Sequence, residues 1–154
     1  MAYIVARGKY WRAEIRKAGH KPQYASFDTQ AAAKKWARQK EAAMDAGTFV
    51  DSTLADNMTL SEALIKYRDT EIAKRGSPTQ DLYRVRRWLR HDLAYRYLGS
   101  LRGVDFAVYR DERRAAGRKD NTIRLELAMI SHIFTTARNE WGMEGLPMLT
   151  LTEN

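Results

Sequence analysis

Apolar positions recur along this chain in two rhythms. Over the first 27 residues they alternate with polar ones. Trp11, Ala13 and Ile15 stand against Tyr10, Arg12, Glu14 and Arg16, the period of a half-buried strand. Gly8-Lys9 and Ala18-Gly19-His20-Lys21 interrupt the alternation with turn residues, so Ala2 to Arg7, Tyr10 to Lys17 and Pro22 to Phe27 read as three strands. Ile4, Ala25 and Phe27 are expected on the packed face, with Val5, Arg7, Tyr24 and Ser26 outward. After Asp28-Thr29 the spacing changes to three and four. Ala33, Trp36, Ala37 and Met44 predict a helix to about Ala46, stopped by Gly47, that covers a sheet too small to stand alone.

The stretch from Thr48 to Asn57 is polar and aperiodic, and reads as a linker. Thr59 and Glu62 then have the spacing of a capping box, with Met58 as its hydrophobic staple. Leu60, Ala63, Leu64, Tyr67 and Ile72 continue as a helical stripe that is expected to stop at Gly76. Pro78 starts the next helix, Gln80 to about Leu93, on Leu82, Val85, Trp88, Leu89 and Leu93. Asp105 is expected to cap a shorter one, Phe106 to Ala116, closed by Gly117. The clearest stripe comes last. Ile123, Leu127, Ile130, Phe134, Ala137 and Trp141 share one face between a cap at Asp120 or Asn121 and a stop at Gly142. The fold class predicted is α+β. A small three-stranded antiparallel sheet packed on one helix (1–47) leads through a linker (48–57) to an all-α bundle of at least four helices (58–146) and a tail (147–154).

Composition adds a partner class. The chain has 154 residues, 44% of them apolar, and a net charge of +8. Residues 1–50 carry +6, 51–76 carry −1 and 77–154 carry +3. Two basic blocks flanking an acidic junction point to a polyanion, since each phosphate neutralised by Lys or Arg releases condensed counterions. No run approaches the roughly 20 apolar residues of a membrane span. The start lacks the apolar segment of a signal peptide, and the absence of cysteine fits a reducing cytoplasm.

Catalytic constellations are not evident. There is no Gly-rich phosphate loop. His20, His91 and His132 are too far apart in sequence for metal-ligand spacing, and Asp111-Glu112 point apart on a helix surface. No metal, cofactor or small-molecule substrate is expected. Arg and Tyr beside short hydrogen-bonding residues instead suit double-stranded DNA, because Arg forks onto guanine or phosphate while backbone contacts set the register. A charged sheet face with Arg12 and Arg16 paired to Glu14 is the competing reading. Lys34, Lys35, Arg38 and Lys40 read as a solvated helix back.

Several motifs in order resemble one family. Ile4-Val-Ala-Arg7-Gly8-Lys9-Tyr-Trp11-Arg-Ala13-Glu-Ile15, then Ser26-Phe27-Asp28-Thr29 and Ala33-Lys-Lys-Trp36-Ala37, resemble the AP2-like arm-binding domain of phage integrases, which are tyrosine recombinases. Gly117-Arg-Lys-Asp-Asn-Thr122-Ile123 through Leu127, Ile130, Phe134, Ala137 and Glu140-Trp141-Gly142 is similar to their SAM-like core-binding domain. The resemblance implies arm-site contacts on the outward sheet face and its turns, at Arg7, Tyr10, Arg12, Arg16, Lys21 and Tyr24. It implies core-site contacts at Thr79, Tyr83, Arg84, Arg87, Lys119, Asn121, Thr122 and Arg124. It further implies other integrase protomers as partners on DNA, and no membrane.

Family catalysis uses Arg, Lys, a His-x-x-Arg motif and a nucleophilic Tyr. Here the three histidines are followed at the third position by Gln23, Ala94 and Thr135, so these residues are expected to bind DNA without cutting it. A small transcription regulator or excision factor built on the same sheet is the alternative, as is a helical protein-interaction module with incidental charge.

Overall fold

In the computed structural model, which describes residues 2–149 and Leu151, the chain forms two compact units, one through Val50 and one from Asp51 onward. The first has the predicted α+β arrangement. Strands β1 (Ala2–Arg7), β2 (Tyr10–Ile15) and β3 (Gln23–Phe27) form an antiparallel sheet in the order β1-β2-β3. Gly8 sits at φ 60° in the two-residue β1–β2 turn, a left-handed conformation that a side chain would strain. Helix α1 (Gln30–Ala46) packs on one face of the sheet. Thr29 caps it by accepting from the Ala32 N–H at 3.2 Å, and Gly47 ends it in the left-handed region. Ile15, Ala37 and Met44 form a small core, with Ala2, Ile4, Trp36 and Phe49 packed around it.

The second unit is helical: α2 (Thr53–Asn57), α3 (Leu60–Thr70), α4 (Thr79–Leu89), α5 (Gly103–Ala115) and α6 (Asp120–Glu140). The capping box of α3 is present. Glu62 N–H donates to Thr59 Oγ1 at 3.2 Å, and Thr59 N–H donates to Glu62 Oε1 at 3.3 Å. The stripe of α6 is buried as its spacing predicts, through Ile123, Leu127, Ile130, Phe134 and Ala137. At the centre Trp88 and Tyr109 stack with ring centroids 4.0 Å apart, and Phe106 meets both Trp88 and Phe134 edge-on.

Several boundaries differ from the sequence expectation. The polar stretch read as a linker holds α2, whose Ala55 is buried in the helical core, while Phe49 belongs to the first core. Two helices stop early. After α3, Ile72–Lys74 tightens into a 3₁₀ turn that still buries Ile72, and after α4, Asp92–Tyr95 does the same for Leu93. Apolar spacing therefore runs on past the α-helix proper. Pro78 stands at the N-cap of α4 rather than inside it. Asp105 lies within α5 and accepts from the Arg102 N–H at 2.8 Å. Lys119, not Asp120 or Asn121, occupies the N-cap of α6 and makes no side-chain cap bond there.

Candidate nucleic-acid interfaces

Strand register places the outward residues of the first unit in rows. Tyr3, Glu14 and Tyr24 are cross-strand neighbours, as are Val5, Arg12 and Ser26, and Arg7 faces Tyr10. The alternation that sends Ala13 and Ile15 into the core makes this face polar and aromatic. Tyr3, Tyr10 and Tyr24 are all about half exposed or more. The Arg12 guanidinium lies over the Tyr24 ring, 4.9 Å from its centroid, a cation–π contact on the exposed face. Arg16 donates to Glu14, whose carboxylate raises the guanidinium above the ordinary arginine value. The charge-paired reading thus applies to Arg16 and not to Arg12. Arg7 and the Lys21 amine have no side-chain partner among the described residues, the latter in the turn before β3. Tyr3 was not singled out from sequence, although it lies two residues from the outward Val5 and so on the same face.

The second unit contains a cleft of about 500 Å³ lined by Tyr83, Arg84 and Arg87 of α4 and by Lys119 and Thr122 at the start of α6. Five of the eight residues expected at a core site therefore meet there. The other three do not line it. Thr79 is the first residue of α4, and the exposed Asn121 and Arg124 bond to each other, Arg124 donating to Asn121 Oδ1 at 2.8 and 3.2 Å. Gln80, Arg113, Gly117, Arg118, Leu125 and Glu126 complete the lining. Leu125 and Glu126 lie three and four residues after Thr122, so helical spacing alone brings them to that face. Arg113 comes from a different helix, and no local spacing announces it. Gly117, at φ 78°, turns the chain from α5 into α6 where a side chain would be strained.

Charge in the cleft is sorted by depth. Five cations, Arg84, Arg87, Arg113, Arg118 and Lys119, face one carboxylate, Glu126, which is 3% exposed. That carboxylate is heavily satisfied. Its Oε1 accepts from Tyr109 Oη at 2.6 Å and Arg113 Nε at 2.9 Å, and its Oε2 accepts from Arg113 Nη2 at 2.8 Å. The backbone carbonyl of Glu126 accepts from the Trp88 indole at 3.0 Å. Burial first, then the bond to Glu126, pushes the Tyr109 phenol above its ordinary value, and the same carboxylate raises Arg113. Arg84 is partly committed to Asp81 at 3.1 Å. Arg118 and Lys119 make no side-chain hydrogen bond or ion pair among the described residues, and Arg87 makes only a 3.9 Å approach to Glu126. The mouth of the cleft is cationic over a neutralised floor, the electrostatic form that suits a phosphate backbone. Among the described residues no three His, Cys, Asp or Glu side chains group so as to hold a metal, and no helix is long and apolar enough to cross a membrane.

The chain is similar to two curated proteins of the recombinase class. It is 40% identical over 92 residues, 55% of its length, to a shufflon-specific DNA recombinase of Escherichia coli, of which this match covers 24%. It is 34% identical over 114 residues, 73% of its length, to a Haemophilus influenzae protein named as an integrase/recombinase, of which the match covers 30%. The chain thus spans less than a third of either relative. No family model matches it, and no solved structure matches it.

Proposed function

We propose that this chain is the DNA-binding portion of a site-specific tyrosine recombinase, using two separate surfaces for two kinds of attachment site. The observation that carries the reading is the cleft, which gathers Tyr83, Arg84, Arg87, Lys119 and Thr122 from two helices far apart in sequence. Similarity to a DNA recombinase and to a protein named integrase/recombinase supports it. In this reading the AP2-like first unit lays the Arg7, Tyr10, Arg12 and Tyr24 face into a groove of arm-type DNA, as a sheet of this width can. The SAM-like second unit grips core-type DNA with the cleft, where Arg87, Arg118 and Lys119 meet phosphates and Tyr83 and Thr122 reach further along the duplex.

Selection of bound duplexes from a random library, followed by sequencing, tests the scheme. The native chain should enrich two distinct motifs. Arg12→Ala should lose one and Lys119→Ala the other, each with a shallower salt dependence of affinity. A single motif lost equally in both variants would refute the division of labour, and no enrichment with flat salt dependence would refute DNA binding.

A further inference from the structure

The lining of the cleft contains an arginine that faces inward. Arg113 is 11% exposed in its side chain and spends its fork on both oxygens of Glu126, whereas Arg87 is 44% exposed and stands 3.9 Å from the same carboxylate. A buried carboxylate without a close partner would draw in the nearest cation, because the attraction grows as the surroundings become less polar. Here the nearest alternative cation is Arg87. It sits at the mouth of the cleft, with no other ion pair among the described residues.

We propose that Arg113 is a positioning residue rather than a DNA ligand: by neutralising Glu126 at the cleft floor, it leaves Arg87 at liberty to move onto a DNA phosphate. The inference rests on the reading of the cleft as a DNA site. Its content is a competition. Glu126 and a phosphate are rival anions for Arg87, and Arg113 settles the rivalry by occupying Glu126 first. Tyr109 assists, since its hydroxyl donates to Oε1 and is stacked in place on Trp88. An arginine fits this task because its planar fork satisfies both carboxylate oxygens at once, which a lysine cannot do.

The full chain and a mixed-sequence DNA duplex supply the test, by fluorescence anisotropy over a series of salt concentrations. Arg87→Ala should weaken binding and reduce the slope of log affinity against log salt by about one phosphate's share. Arg113→Met should produce the same loss, and Arg87→Ala/Arg113→Met should lose no more than either alone. Arg113→Met/Glu126→Gln should return to within about twofold of the native affinity, because no carboxylate is left to capture Arg87. Glu126→Gln alone should bind as well as the native chain or more tightly.

An Arg113→Met/Glu126→Gln variant as weak as Arg113→Met would show Arg113 touching DNA itself and overturn the proposal, as would a loss of affinity in Glu126→Gln. Should Arg113→Met fail to fold by circular dichroism, the two Glu126→Gln variants still decide. If Arg87→Ala binds normally while Lys119→Ala does not, this inference fails and the reading of the cleft stands; normal binding in both variants refutes that reading together with this inference.

Discussion

A methyl group on Gly99 would clash with Asp56 Oδ1 and lie 3.4 Å from the Ala55 backbone. Asp56 is itself held by Ser52 at 2.8 Å, so it cannot swing aside without losing that bond. Gly99→Ala should therefore destabilise the helical unit by about 1 kcal/mol, the ordinary scale of a local steric substitution, read as a lowered urea midpoint. Asp105 makes a pH prediction. Burial would raise its carboxyl, but the Arg102 N–H and the Arg96 guanidinium at 2.7 Å outweigh that and bring it below its ordinary value. Because the folded value is the lower one, the stability it contributes is full above about pH 4 and is lost as pH falls through the folded value. Asp105→Asn should flatten the acid limb of a stability-against-pH curve. At this scale the sequence is readable where a residue's position follows from its immediate neighbours, as for Arg12 on the outward sheet face. It is not readable for Arg113 and Glu126, whose partnership spans 13 residues and two helices.

A helix start is legible where its capping pattern is complete, and two threonines show why. Thr59 precedes Glu62 at capping-box spacing and makes both reciprocal bonds, whereas Thr79 follows Pro78 and is already the first residue of α4, without a cap bond. Thr59→Ala should cost about 1 kcal/mol and Thr79→Ala about 0.5 kcal/mol or less, compared by thermal melting of the two variants. Similar costs would contradict the assignment. Two ends fall short of the apolar spacing because Ile72 and Leu93 keep the rhythm while the backbone tightens to 3₁₀, and periodicity registers burial, not hydrogen-bond type. The polar stretch before Met58 hid α2 for the opposite reason. Its one buried side chain, Ala55, is too little to mark a period.

Over the whole chain, the two units differ greatly in how much they bury. The first buries Ala13, Ile15, Ala33, Ala37 and Met44 with a few half-buried neighbours, while the second has a core of more than twenty buried residues. A unit of about 50 residues is marginal on such a core. Tryptophans report on each separately: Trp11 and Trp36 lie in the first, Trp88 and Trp141 in the second. Heating should give a two-step fluorescence change with the first unit melting at the lower temperature, and a Trp11→Phe/Trp36→Phe variant should show the upper step alone. One coincident transition would contradict this. The break in sequence rhythm near residue 47 foretold two kinds of structure, although not that Phe49 and Ala55 would fall on opposite sides of the division at Val50.

Glu126 has one more consequence, for how such a chain can drift. Its side chain binds Tyr109 and Arg113 from α5, and its own carbonyl holds Trp88 from α4. A lineage that replaces the carboxylate alone strands a guanidinium, and one that replaces the guanidinium alone strands a buried charge. Exchange at positions 113 and 126 should therefore come in matched pairs among descendants, while the cations at the rim of the cleft that neutralise no buried group remain open to change one at a time.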